Sequence, residues 1–332
     1  MNTKFLSLFA LFLILLAGCK KDELNPDCDQ PIGGEYLTYR YFNEGTPTIS
    51  ADPTEVKGNI TFDAATARAV NNGVRITVPG VRIRTDDNNY AITRLRIDER
   101  QNGEECFTFQ SEFTNDQSSF QTDIASVLVL DMSTSLEGNI EDLKSYAKNY
   151  ANTVVNSSPN ATVAVVFFSD RDAIESTRFY TSADISDLDT RIDNFTNYQE
   201  RTALYQAVRQ GLQLLEGLDF AGEKSIVAFT DGGDNDSNNP SQLVNHISSS
   251  PVEKFAIGLR GADFQESGLQ SIVSESSNLV VADDIDALES IFQTVGRGVV
   301  SVYEISYTRS DQLLSADEAV EIRISAETEV IQ

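Results

Sequence analysis

The chain has 332 residues, enough for one large domain or two modest ones with a sizeable apolar core. Aspartate and glutamate outnumber lysine and arginine by 51 to 25, a formal net charge of -26, so the surface repels phosphate backbones, argues against nucleic acid as a partner and suits divalent cations. A single histidine, His246, excludes His-rich zinc sites and leaves Ser-His-Asp chemistry without support; its pattern with Leu243, Val244 and Ile247 reads as a structural helix position.

Met1 to Lys4 is a short basic start, and Phe5 to Ala17 is an almost unbroken apolar run. A membrane-spanning helix needs about 20 residues; this run has instead the length of the apolar core of a secretory signal. It ends in Leu16-Ala17-Gly18-Cys19, which resembles the bacterial lipobox. The resemblance implies that residues 1–18 are a signal peptide and that Cys19 carries the lipid that holds the mature chain on a membrane, each buried CH2 contributing about 0.8 kcal/mol. Lys20-Lys21-Asp22-Glu23 resembles the surface-export signal of Bacteroidetes lipoproteins, which implies the outer face of an outer membrane. The other two cysteines, Cys28 and Cys106, are expected to form one disulfide in such an oxidising compartment, with two free thiols as the alternative. The bridge stabilises the fold by roughly 4 kcal/mol in the chain-entropy picture.

Residues 19–34 are polar, with Pro26, Pro31 and Gly33, and read as a tether. From 35 to 118 short runs alternate apolar and polar residues, as in Val74–Val78, Val81–Arg84 and Tyr90–Ile97, separated by turn signals at Asn71–Gly73, Pro79-Gly80, Asp86–Asn89 and Asn102-Gly103. That rhythm predicts antiparallel sheet with one wet face, in a small immunoglobulin-like β-sandwich. A polar linker follows at Thr114–Ser119. Beyond it, Ile124–Leu130, Ala161–Phe168, Ser225–Phe229, Lys254–Leu259 and Asn278–Ala282 are nearly all apolar, as strands buried on both faces must be. Helical stripes lie between them, at Leu143 to Val154 and Leu204 to Leu215, and further helices are predicted near 184–194, 240–249, 265–276 and 284–297. Strands alternating with helices predict an α/β domain with a doubly wound, mostly parallel sheet over 122–298. Residues 299–332 return to strand rhythm at Val299–Tyr307 and Val320–Ile324, and are expected to complete the β-domain by pairing with the N-terminal strands.

Ligand sites of open α/β sheets lie beyond the carboxyl ends of the strands. There the chain has Asp131-Met-Ser133-Thr-Ser135, just before a helix; Arg201-Thr202 opens a second helix; and Asp231-Gly-Gly233 ends another buried strand. In this order and spacing the three segments resemble the von Willebrand factor A family and its metal-ion-dependent adhesion site, over about half the chain. The resemblance implies that Ser133, Ser135 and Thr202 bind the metal through hydroxyls, and that Asp131 and Asp231 bind it directly or through water. Glu200-Arg201 stand where the family often has Gly-Gly. An all-oxygen set of this kind suits Mg2+, with Mn2+ or Ca2+ as alternatives. The Asp231–Asp236 stretch loosely matches calcium-loop spacing but lacks the closing glutamate, and reads as a solvated loop.

These features imply a surface-anchored, metal-dependent adhesion or protein-binding module, whose protein or glycan ligand supplies an acidic group to the metal. The alternative is a structural component of a cell-envelope assembly, in which the metal only stabilises the fold. A metal-dependent phosphohydrolase has less support, since the chain has no DxD pair after the first strand, no GxSxG elbow, no GxGxxG fingerprint and no P-loop, and no catalytic role is expected.

Overall fold

Among the described residues, ten strands drawn from the N- and C-terminal parts build two antiparallel sheets. The N-terminal part supplies β1 (Glu35–Asn43), β2 (Pro47–Ile49), β3 (Glu55–Lys57), β4 (Ile60–Thr61), β5 (Thr66–Val70), β6 (Gly73–Ile83), β7 (Tyr90–Gln101) and β8 (Thr108–Thr114). The C-terminal part supplies β15 (Tyr303–Arg309) and β16 (Val320–Val330). One sheet runs β2-β1-β16-β7-β8, with β3 also on β1; the other runs β15-β6-β4, with β5 also on β6. Strand β16 lies between β1 and β7, so that Leu37, Ile324 and Ile97 stand side by side, all buried. Their side chains meet those of Ile76, Val78 and Ile305 from the facing sheet in one apolar core. The period-2 alternation seen in the sequence is the physical cause, because one face of each strand must leave water. The computed structural model describes residues 28–84, 90–101, 103–114, 122–261, 263–310, 313–315 and 318–330. The signal segment, Cys19, most of the tether, the Asp86–Asn89 turn and most of the Thr114–Ser119 linker lie outside the described residues.

Pro79-Gly80 does not turn the chain. Strand β6 passes straight through it, and its partner β15 skips a residue there: Val81 faces Tyr303 while Val78 faces Ile305. The extra residue is a β-bulge, with Gly80 at φ 65°, a conformation that glycine adopts without steric cost. Cys28 and Cys106 are bonded, their Cα atoms 4.7 Å apart, which pins the segment entering β1 to the β7–β8 connection. Asp29 reinforces the attachment by accepting from the Phe109 amide at 2.8 Å and pairing with Arg96 at 2.7 Å.

Between the two halves of the sandwich the chain forms an α/β unit. Its sheet contains β9 (Ile124–Asp131), β10 (Thr162–Phe168), β11 (Ile174–Ser176), β12 (Glu223–Thr230), β13 (Glu253–Leu259) and β14 (Leu279–Ala282), in the order β11-β10-β9-β12-β13-β14. All neighbours are parallel except the edge strand β11. Helices α1 (Ile140–Val155), α2 (Ile185–Asp193) and α6 (Leu288–Val300) cover one face, and α3 (Leu204–Glu216), α4 (Pro240–Ser249) and α5 (Glu266–Gln270) the other. Successive residues of β9 therefore enter different cores: Leu128 and Leu130 meet α1, while Val127 and Val129 meet α3. That two-sided burial is why these strands read as continuous apolar runs. Two boundaries differ from expectation. Val299 and Val300 close α6 rather than open a strand, and the helix near 265–276 stops at Gln270, where the chain turns.

The sandwich meets the α/β unit at the amino ends of β12 and β13. Arg84, just after β6, pairs with Glu253 at 2.9 Å, and Arg82 of β6 lies 3.6 Å from Glu223. The Thr122 amide donates to the Val302 carbonyl at 3.0 Å, tying the chain entering the α/β unit to the chain leaving it. The carboxyl ends of the parallel strands therefore face away from the sandwich.

Candidate metal centre

Strands β9 and β12 are direct neighbours, yet the chain leaves β9 toward β10 on one side and returns to β12 on the other. Such a reversal opens a crevice beyond the strands' carboxyl ends. Asp131 ends β9 and Thr230 ends β12 at this point. The residues after each strand fill the crevice rim.

Asp131 is fully buried. Its Oδ1 accepts from the Ser133 amide at 2.9 Å and its Oδ2 from the Thr230 hydroxyl at 2.6 Å. Burial nevertheless dominates and pushes its pKa up to about 7, with the charge of Asp231 acting in the same direction. The backbone after Asp131 is held by the Met132 amide on the Phe168 carbonyl at 2.7 Å and the Thr134 amide on the Gln199 carbonyl at 2.9 Å. This places the hydroxyls of Ser133 and Ser135 3.0 Å apart. The Ser135 hydroxyl donates in turn to Asp231 Oδ1 at 3.0 Å. Burial raises the pKa of Asp231 too, though Ser135 opposes the shift. Thr202 is buried at the start of α3; a Cβ added to Gly232, the residue after Asp231, would stand 3.7 Å from the Thr202 hydroxyl.

The structure thus brings Asp131, Ser133, Ser135, Thr202 and Asp231 to one end of the sheet, although the sequence spreads them over about a hundred positions. Every donor is oxygen. Among the described residues no group of three or more His, Cys, Asp or Glu side chains gathers as a metal cluster, and here two carboxylates stand beside three hydroxyls. That composition fits a hard cation such as Mg2+ better than a soft one. Exposure is graded across the group: Asp131, Ser133 and Thr202 are buried, Asp231 is half-buried and Ser135 is exposed.

Sequence patterns did not single out Thr230, whose hydroxyl also accepts from the Gly232 amide at 3.1 Å. Its only sequence signal is its place directly before Asp231. Asn235 belongs to the stretch that reads as a solvated loop, yet its Oδ1 accepts the Thr202 amide at 2.9 Å. His246 lies far along the chain on α4, 3.7 Å from Glu216.

A sequence-family model for the von Willebrand factor type A domain matches residues 127–294, about half the chain, and the chain belongs to that family. No curated protein matches it. Among solved structures it is similar to proximal thread matrix protein 1 from the mussel byssus with a zinc-occupied MIDAS motif, at 23% identity and TM-score 0.46, covering 57% of this chain and 49% of that one. It is also similar to the pilus adhesin SpaC from Lactobacillus rhamnosus GG, at 13% identity and TM-score 0.47, covering 79% and 42%, and to a von Willebrand factor type A protein from Catenulispora acidiphila, at 10% identity and TM-score 0.46, covering 92% and 68%. The chain spans about half the length of the byssus protein it matches.

Proposed function

We infer that this protein is a surface-anchored adhesion module that binds a protein or glycan ligand through a divalent cation, Mg2+ with Mn2+ or Ca2+ as substitutes. Asp131, Ser133, Ser135, Thr202 and Asp231 hold the ion, and Cys19 carries the lipid that fixes the chain to the outer face of an outer membrane. The graded exposure of the five side chains carries this reading. An ion held there has protein on its Asp131 side and solvent on its Ser135 side. When bound, the cation supplies a Lewis-acidic position that an acidic group of the partner can occupy. The chain's own residues do the rest: Asp131 and Asp231 provide two negative charges that balance the cation, and the neutral hydroxyls add oxygen ligands without adding charge that would repel an acidic group of the partner.

Calorimetric titration of the purified chain with Mg2+, Mn2+ and Ca2+, beside an Asp131→Ala/Ser133→Ala variant, tests the site. Saturable binding of one ion, lost in a variant whose circular dichroism stays native, is the expected result. The deep burial of Asp131 favours a second reading, in which the ion only stabilises the fold of an envelope component. Metal-dependent capture of a ligand by the wild type but not by a folded variant separates the two.

A further inference from the structure

Three of the five site residues have their positions set by sheet ends. Asp131 ends β9, Ser133 follows two residues later, and Asp231 directly follows β12. Thr202 has no strand behind it; it sits between a loop and the first turn of α3. Something else must fix it relative to the others.

The stretch Asp234 to Ser237 does so, and it is bonded throughout. Asp236 is 4% exposed. Its Oδ2 accepts from the Arg171 amide at 2.9 Å and from Arg171 Nε at 3.0 Å; its Oδ1 accepts from Arg171 Nη2 at 2.7 Å and from Arg201 Nη1 at 2.9 Å. Arg171 belongs to the β10–β11 loop and Arg201 to the segment before α3, so one buried carboxylate joins three loops. The amides of Asn235 and Asp236 both donate to the Thr202 carbonyl, at 2.9 and 3.1 Å, and Asn235 Oδ1 takes the Thr202 amide in return. The first turn of α3 is held by the same stretch, with the Tyr205 amide on Asp234 Oδ1 at 3.2 Å and the Gln206 amide on Ser237 Oγ at 3.0 Å. Thr202 is therefore tied to residues 234–237 on one side, while the Ala203 amide donates to the Ser169 carbonyl at 2.7 Å on the other, and Asp236 links the 234–237 stretch to Arg171 and Arg201. Without that carboxylate, two guanidinium groups drawn to one point would repel each other.

We propose that Asp236, clasped by Arg171 and Arg201, is a positioning residue that keeps the Thr202 hydroxyl in the metal site, an inference that rests on the five-residue cluster binding a divalent cation. It also gives Arg201 a role: the arginine that stands where the family often has glycine ties the threonine loop to its neighbours.

The test is calorimetric titration of the full chain with Mn2+ for the wild type, Thr202→Ala, Asp236→Asn and the double variant. Outer-shell partners of metal ligands typically change affinity by about 10- to 100-fold. Thr202→Ala and Asp236→Asn are each expected to weaken Mn2+ binding at least tenfold, and the double variant no more than Thr202→Ala alone, because Asp236 acts through Thr202. Additive losses, or wild-type affinity in Asp236→Asn when Thr202→Ala is weakened, overturn the proposal. If the wild type binds no Mn2+, the cation site itself fails and the proposal with it. Amide hydrogen exchange in metal-free protein gives an independent readout: Asp236→Asn is expected to speed exchange at Thr202 and Tyr205 by about tenfold, and unchanged rates there overturn the proposal. Should Asp236→Asn fail to fold, Arg171→Gln/Arg201→Gln takes its place, since these side chains are 37% and 67% exposed. Wild-type Mn2+ affinity in that variant counts against the clasp.

Discussion

The Thr230 hydroxyl donates to Asp131 Oδ2 at 2.6 Å, across the ends of two neighbouring parallel strands. The bond fixes one oxygen of a fully buried carboxylate. Thr230→Val keeps the shape and removes the donor, which leaves a buried acceptor less satisfied at a cost of about 1–3 kcal/mol. Urea unfolding of the metal-free variant is expected to show a loss in that range, with Mn2+ affinity reduced as well. Unchanged stability would mean that the bond contributes nothing net.

Asp131 also sets a pH dependence. Its ordinary pKa is 3.8, and in the folded metal-free chain burial lifts it to about 7. Between roughly pH 4 and pH 7 the folded state therefore holds a proton that the unfolded state has released. On this group's account, metal-free stability falls as pH rises through that window. A cation displaces the proton, so the rise in Tm produced by Mg2+ is expected to be larger at pH 8 than at pH 5. Thermal unfolding at both values, with and without Mg2+, checks this; an equal shift at both pH values would falsify it.

Arg84 and Glu253 join the sandwich to the α/β unit at 2.9 Å, each with a side chain 19% exposed. The pair holds the Glu253 carboxyl below its usual range despite burial, Arg84 being the chief cause of the lowering. Arg84→Ala leaves Glu253 the Asn278 amide at 2.6 Å and the more distant Arg82. The expected destabilisation is about 1–3 kcal/mol, and it should vanish largely when Glu253→Ala is added. A double-mutant cycle read by urea unfolding decides; full additivity would sink the idea that the two residues act as a pair.

Reduction of the Cys28–Cys106 bond frees a loop with a sequence separation of 78. In the chain-entropy picture the cost is roughly 4 kcal/mol. The bond lies in the sandwich, away from the crevice. Denaturant midpoint should fall after reduction while Mn2+ affinity measured on the still-folded protein stays the same. A parallel loss of metal binding would show that the two ends of the molecule are energetically linked.

The parts of this molecule that local patterns govern were legible in the sequence. Residues 124–130 and 225–229 could be read as parallel strands because both faces of each are buried, which forbids polar interruptions. Asp131, Ser133 and Ser135 could be placed because they follow one such strand directly. Errors arose where two structures share one local signature. Pro79-Gly80 satisfies a turn, but also a bulge that lets β6 continue, and only pairing with β15 distinguishes them. Val299 and Val300 suit a strand by propensity, yet they form the last turn of α6 and pack into the core, where tertiary burial overrides β-branching. The Asp236 clasp was invisible for another reason. Its partners Arg171 and Arg201 lie 65 and 35 positions away, and no spacing rule connects a carboxylate to guanidiniums at such distances.

The hydrogen bond from Thr122 to Val302 has a mechanical meaning. The chain enters the α/β unit at Thr122 and leaves it at Val302, so a pull on the far crevice reaches the sandwich through two covalent crossings at once. Each crossing carries part of the tension, and neither can be drawn out alone while the bond between them holds. The outer unit is thus hung by a double cord, and slack in one cord does not let it swing free.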